Sequence, residues 1–417
     1  MNPRGALSDV RILDLTQMLA GPYATMMLAD HGAEVIKIEP LAGDMTRSVG
    51  PYREDDSAKV LGGYFQSINR NKHSVVLDLK RAEGRAALLK LVATADALVE
   101  NFRVGVMERL GLSYEVLREA NPRLVYGTLR GFGDTRTGAS PYCEWPAFDV
   151  VAQAMGGIMA ITGPDPDTPM KVGPGIGDIL PGVMLAFGVL AAVHHAKRTG
   201  EGQFVDIAMV DSILALCERT VYQHSVTGIV PRPEGNAHPF LVPFGIFPAA
   251  DGFITLGAFA QNFFEAMCKA LGADEIAANP HYADADTRLA HRTELIAALS
   301  TYTQCRTKDE LSAILGGLIP FGVVMDIADI VDNPHFAVRE MIVPVEQPGT
   351  TPIKIAGVPI KLSRTPGEVV HRAPLLGEDT VAQLRIAGLT DDEIDELIVK
   401  RVATAAASIT NQKEELP

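Results

Sequence analysis

The strongest constraint on this chain is the regular exchange of strand and helix signals in its first third. Residues 10–15 (VRILDL) form a short β-prone apolar run. Gly21-Pro22 then opens a helix, PYATMMLADH, with Pro at the first helical position, where a missing N–H is harmless. Gly32 closes that helix, and residues 34–39 (EVIKIE) are the next strand. The pattern repeats with a strand at 74–79, a helix at 81–94, a strand at 97–102, a helix at 114–120 and a strand from Leu124. Strands separated by helices imply an α/β fold, a parallel sheet covered on both faces with right-handed crossovers. Ligands of such sheets bind at the carboxyl ends of the strands. The loops to watch therefore follow Leu15, Glu39, Leu79, Phe102 and Leu129.

Beyond the first third, a long apolar helix runs from Ile179 to about Arg198 and stops at Gly200. The stretch 227–251 is rich in Pro and Gly and leads into a second, smaller domain. There, DGFITLGAF reads as a strand, and 261–271 and 293–302 read as helices. We divide the chain into a large domain (1–200), a linker (201–235), a small α+β domain (236–330), a return linker (331–372) and a C-terminal segment packing back on the large domain (373–417). The tail after Val402 is expected to fray.

Composition narrows the function classes. With 37 Lys+Arg against 51 Asp+Glu, the net charge is 37 − 51 = −14, which argues against a general nucleic-acid binder. A local basic cluster could still meet an anionic ligand, and NRNKHS (69–74) is one candidate. Cys143, Cys217, Cys268 and Cys305 include no CxxC pair, which fits neither a disulfide scaffold nor a Cys-rich zinc site and points to a reducing cytoplasm. No N-terminal apolar run suggests a signal peptide. The apolar stretch 179–193 falls short of the roughly 20 residues a bilayer requires and reads as a core helix, so no membrane partner is expected.

The segment KVGPGIGDILPG (171–182) holds four glycines, two prolines and a single carboxylate, Asp178. An Asp just before a helix is a preferred N-cap. Yet Gly173, Gly175 and Gly177 leave the backbone open to close approach by a ligand. A carboxylate there is sterically accessible and flanked by N–H groups able to stabilise an oxyanion. The first strand–helix turn, TQMLAGPYA, is no dinucleotide fingerprint, and neither GxSxG nor a P-loop occurs. The ten histidines form no HExxH and read as polar or capping residues, and no metal site is expected.

Several segments, in order, resemble the class III CoA-transferases, the CaiB/BaiF group that includes formyl-CoA and carnitinyl-CoA transferases. They are VRILDLTQMLAGPYATMMLADHGAEVIKIEP, NRNKHSVVLDLK, ENFRVGVMERLGL, NPRLVYGTLRGFG, FDVVAQAMGGIMAITG, GIGDILPGVMLAFGVLAAVHHAKRTGEGQFVDIAM, DNPHFAVRE and APLLGED, spread over nearly the whole chain. The resemblance implies a Rossmann-like large domain, a small domain and two interlocked rings forming a homodimer. It implies Asp178 as nucleophile, with Gly177 and Gln17 beside it. CoA contacts fall on Met18, Leu77, Lys80, Asn101 and Arg109, and substrate contacts on Phe148, Asp149, Gly257, Ala258 and Phe259. Coenzyme A thioesters enter as substrates, with no tightly bound cofactor implied.

Two departures from formyl-CoA transferases stand out. Their glycine run over the active site is replaced by bulkier Gly257-Ala258-Phe259-Ala260-Gln261, and their basic pair after the second strand by Pro40-Leu41. The expected activity is therefore CoA transfer from an acyl-CoA such as succinyl-CoA to a small dicarboxylate, through an aspartyl-CoA thioester. Arg47 and Arg130 are candidate cations for the acceptor. The alternative is the related α-methylacyl-CoA racemases, whose GHD-type motif would put a His where Phe148 stands. A non-catalytic acyl-CoA-binding paralogue is the second alternative.

Overall fold

The computed structural model describes residues 5–406; residues 1–4 and 407–417, the latter including most of the tail expected to fray, lie outside them. Two compact units are formed, one from Met1–Ile158, Val172–Tyr222 and His335–Pro417, the other from Met159–Lys171 and Gln223–Pro334.

The first unit is built on six parallel strands: β1 (Arg11–Asp14), β2 (Glu34–Glu39), β3 (Lys72–Leu77), β4 (Ala97–Glu100), β5 (Val125–Arg130) and β6 (Phe204–Ala208). Their spatial order is β3-β2-β1-β4-β5-β6, and every neighbouring pair runs parallel. This is the order of a doubly wound sheet, and its direction of winding reverses between β1 and β4. A short strand, Ala403–Thr404, adds antiparallel to the outside of β3. The tail after Val402 thus contributes a sheet edge before the description ends.

The sheet is apolar on both faces, with Leu13, Ile36, Val75 and Leu98 buried on one and Ile12, Val35 and Val99 on the other. The helix Ala20–Asp30 begins one residue before Gly21-Pro22. It can fold back over β1 because Gly21 lies against Thr16, where a Cβ would come within 2.4 Å of the Thr16 side chain. The long apolar helix expected from Ile179 to about Arg198 is a continuous 24-residue helix, Ile176–Thr199, that starts three residues earlier. By length and composition alone it would pass for a membrane span. It instead packs one face, including Gly182, Leu185, Val189 and Val193, into the first unit. Gly182 allows the close approach, since a Cβ there would lie 2.6 Å from the Ala20 carbonyl oxygen.

Two segments expected as linkers carry structure. Residues 201–235 include β6 and the helices Met209–Leu216 and Glu218–Thr227. Residues 331–372 include a hairpin of two further strands, Ile342–Gln347 and Thr350–Ala356. The reason is exposure: β6 lies at the sheet edge and is only half-buried, and the hairpin exposes alternate residues. Neither shows the unbroken apolar run that marks a buried parallel strand.

The second unit contains an antiparallel sheet of β7 (Gly245–Ala249), β8 (Gly252–Leu256) and β9 (Phe321–Val323). Strand β7 falls inside the stretch read as a Pro/Gly linker. Helices Gln261–Leu271, Arg292–Thr303 and Lys308–Leu315 pack on it around Phe247, Ile254, Phe264, Leu295 and Leu299.

A buried ionic network fixes the turn after β1. Asp14 is wholly inaccessible, and its carboxylate accepts from the Thr16 amide (2.9 Å), Thr25 Oγ1 (2.7 Å) and Lys72 Nζ (2.9 Å). Lys37 Nζ donates to the Thr16 carbonyl at 2.7 Å and pairs with Asp44 at 2.9 Å. Burial alone would raise the Asp14 carboxyl, but the Lys72 and Lys37 charges bring it down to about 2. Removing one partner of such a pair strands a buried charge. Lys72→Met is therefore expected to destabilise the protein by about 3–5 kcal/mol, read from the urea midpoint.

Candidate active site

At the reversal between β1 and β4 the two following loops separate and leave a crevice. They are held together by a reciprocal pair: the Gln17 amide donates to Asn101 Oδ1, and Asn101 Nδ2 donates to the Gln17 carbonyl, both at 2.8 Å. Asn101, expected to contact CoA, lines the cavity and also places the Gln17 backbone. Met18 follows in the left-handed region at φ 66°, a conformation few non-glycine residues adopt.

The crevice is a cavity of about 300 Å³. Gln17, Met18, Tyr64, Phe102 and Arg103 line it together with Leu129–Gly131, the segment Cys143–Phe148 and Asp178. Among the described residues, the Gln17 side-chain amide has no hydrogen-bond partner.

Asp178 reaches the cavity from the third position of the helix Ile176–Thr199, whose N-cap is Gly175 with no side-chain cap. The N-cap reading of Asp178 is thereby corrected. Its carboxylate has no hydrogen bond among the described residues, unlike Asp149 beside it. Asp149 opens the helix Asp149–Met155, accepts from the Gly177 amide at 2.8 Å and from Gln153 Nε2 at 2.9 Å, and so anchors the glycine loop. Gly177 has to be glycine here: a Cβ would lie 2.6 Å from the Asp149 carbonyl oxygen.

These contacts revise the role of the loop amides. Gly177 N–H is taken by Asp149, and the Asp178 and Ile179 amides bond to the Gly175 carbonyl. None is free to receive an oxyanion. The free Gln17 amide and the first turn of the helix Ala20–Asp30, whose initial N–H groups have no intrahelical acceptor, remain at the cavity wall.

Burial, and then the Asp149 charge, push the Asp178 carboxyl up to about 7. An isolated Asp would be fully ionised at neutral pH, whereas here both protonation states coexist near pH 7. The nearby Tyr64 phenol is also raised, by burial first and then by the Asp178 charge.

The two arginines considered for the acceptor are both paired with carboxylates, although Arg130 lines the cavity. Arg47 makes two 2.7 Å bonds to buried Glu39 and stacks on Phe65 at 3.8 Å. Arg130 pairs with Glu100 at 2.8 Å and with Asp134. Of the expected CoA contacts, Met18 lines the cavity, whereas Leu77 is buried in the core and can offer only its backbone. Lys80 and Arg109 are exposed outside the lining. Besides Arg130, the cavity is lined by Arg103, two residues after Asn101 in ENFRVG, a position sequence reading passed over. Trp145 also went unnoticed, because the segment around it has no periodic pattern. Phe148, the N-cap of the Asp149 helix, is 62% exposed at the cavity. In the second unit, Gly257 bonds through its amide to the Pro320 carbonyl at 2.9 Å. Ala258 is fully buried there, so its side chain cannot meet a substrate, while Phe259 is partly exposed.

A doubly wound α/β sheet with an unpaired, desolvated carboxylate at its reversal point defines the class of this protein. Comparison with known proteins supplies the family. Residues 7–380 match CoA-transferase family III. Over 386 residues the chain is 49% identical to a succinyl-CoA:mesaconate CoA-transferase of Haloarcula marismortui, covering 92% of this chain and 97% of that protein. It is 37% identical to a succinate–glutarate CoA-transferase of Agrobacterium fabrum, covering 90% and 94%. A CaiB/BaiF family protein from Brucella suis superposes with a TM-score of 0.82 at 32% identity, covering 92% and 99%. The chain belongs to CoA-transferase family III, and it is a CoA-transferase.

The raised carboxyl of Asp178 has a consequence for stability. Its folded value lies above the unfolded one of about 3.9, so ionisation opposes folding increasingly as pH rises towards 7. Asp178→Asn escapes that cost. Its melting temperature is expected to exceed that of the parent by about 5 °C at pH 8 and by clearly less at pH 5, measured by calorimetry.

Proposed function

We propose that this enzyme moves coenzyme A from succinyl-CoA to a small dicarboxylic acid, with mesaconate the first acceptor to test. The observation that carries this reading is the Asp178 carboxylate, open to the cavity and without a hydrogen-bond partner beside the free Gln17 amide. The named activities of the relatives supply the substrate pair.

Asp178 attacks the thioester carbonyl. The C–S bond breaks, giving a mixed anhydride and the CoA thiolate. The thiolate attacks the aspartyl carbonyl, forming an aspartyl-CoA thioester and releasing succinate. The acceptor carboxylate then attacks that thioester, and the sequence runs in reverse to yield the new acyl-CoA and free Asp178. Gln17 donates to the carbonyl oxygen on which charge develops. Asp149 acts on Asp178 in two ways: it holds the glycine loop through Gly177, and its charge adds to burial in raising the Asp178 carboxyl. Arg103 is the cation at the cavity for CoA phosphate. Phe148 limits the acyl group, and Lys80 and Arg109 receive the more distant phosphates of the nucleotide.

The test is peptide mass spectrometry after incubation with succinyl-CoA. A CoA adduct on the Asp178 peptide is expected, together with a loss of transfer of about a thousandfold or more in Asp178→Ala. Deuterium wash-in to a 2-methylacyl-CoA without any adduct would instead establish the racemase reading.

We further infer a cytoplasmic homodimer of interlocked protomers. The outward face of the helix Ile176–Thr199 supports this, with Phe187 75% exposed and Val183 half-exposed one turn earlier. Leu214 and Leu216 are likewise uncovered. Light scattering should give twice the chain mass, and Phe187→Glu should shift the protein towards monomer.

A further inference from the structure

The second unit contains a group of side chains that the transfer reaction does not use. His281 lies in the turn Pro280–Tyr282, and His291 sits between the helices Ala285–Ala290 and Arg292–Thr303. Glu294 follows one turn later, at the third position of the second helix. The two imidazoles stack with centroids 4.1 Å apart and planes 12° from parallel. His291 Nδ1 lies 2.9 Å from Glu294 Oε2. One ligand atom from each residue falls within 4.8 Å of the others.

The backbone that carries them is held in place. Asn279 caps the turn by accepting from the His281 amide at 3.0 Å, and Tyr282 next to it is buried in the core of the unit. Asp284 and Thr287 form a capping box on the intervening helix. Leu295, adjacent to Glu294, is wholly buried. The ligand atoms therefore project from anchored elements, and only side-chain torsions remain to be set. Two imidazoles and a carboxylate with an open fourth position match a borderline transition metal, and zinc ligands sit near 2.0–2.2 Å. A tetrahedral ion at that distance brings its ligand atoms to roughly 3.4 Å from one another. Rotation about the soft imidazole χ2 torsions closes the difference and turns the stacked rings towards a common point.

We propose that His281, His291 and Glu294 form a binding site for a divalent transition-metal ion of the zinc class. The ion would tie the turn before the Ala285–Ala290 helix to the helix after it. The neighbouring Arg292 does not compete for it, being paired with Glu234 at 2.9 Å. Hard cations such as Mg²⁺ prefer all-oxygen sites and should not be held.

The test uses the full-length protein without a polyhistidine tag, stripped with chelator and titrated calorimetrically with Zn²⁺ and separately with Mg²⁺. One Zn²⁺ per chain is expected at micromolar affinity, with no Mg²⁺ binding and a rise in melting temperature that EDTA reverses. His281→Ala and His291→Ala should each weaken zinc binding at least about tenfold, and Glu294→Gln by less. His224→Ala, an exposed histidine elsewhere, should leave it unchanged. Zinc affinity no better than millimolar overturns the proposal, as does zinc binding that survives both histidine variants. All variants lie on the surface, and transfer activity serves as the check that each has folded.

Discussion

Everything at the active site rests on a carboxylate that takes no part in the chemistry. Asp14 ends β1 in full burial and is tied at once to Thr16, Thr25 and Lys72. Its charge is tolerated only because two lysines, from β2 and β3, converge on the same turn. A buried ion pair with all its hydrogen bonds satisfied adds little stability on its own, but it strongly penalises alternatives that leave a charge alone. The turn after β1 is therefore confined to one conformation. Asn101 locks that turn to the loop after β4, and the free Gln17 side chain is left facing the cavity.

Asp178 shows the same residue type in the opposite condition. Asp14 has partners on all sides and lies at about 2, whereas Asp178 has no partner, a like charge nearby, and lies at about 7. Burial acts on both in the same direction. The sign of the outcome depends on whether the fold brings cations or another carboxylate to the site. A carboxylate stripped of water and hydrogen bonds is a stronger nucleophile when ionised, and at about 7 that form coexists with the acid near neutral pH.

Strand and helix order in the first unit was legible because a parallel sheet buried on both faces demands short runs rich in Val, Ile and Leu, as in EVIKIE and VRILDL. Half-buried elements were not legible. Strand β6, the hairpin Ile342–Gln347 with Thr350–Ala356, and β7 all lie at edges, where alternation with polar residues hides the strand among Pro and Gly. Asp178 stood out because GIGD places a lone carboxylate among glycines. Its helix position did not, because the cap was assigned to Asp rather than to Gly175. Arg47 and Arg130 carried no local sign that Glu39 and Glu100 would neutralise them, since the first pairing depends on how the loop after β2 turns back and the second is made between neighbouring strands. Nor did His281, His291 and Glu294, whose spacing fits no motif and whose approach depends on the turn between two helices.

The sequence by itself determined the α/β class, the glycine loop with its carboxylate, and, through its ordered segments, the family. These are properties of local periodicity and of residues adjacent in the chain. The tertiary structure alone decided which charges are free and which are paired, which amides remain to meet an oxyanion, and that the Asp178 carboxyl titrates near neutrality. Those outcomes depend on desolvation and on charges brought close from distant parts of the chain, and neither quantity exists until the sheet has closed around them.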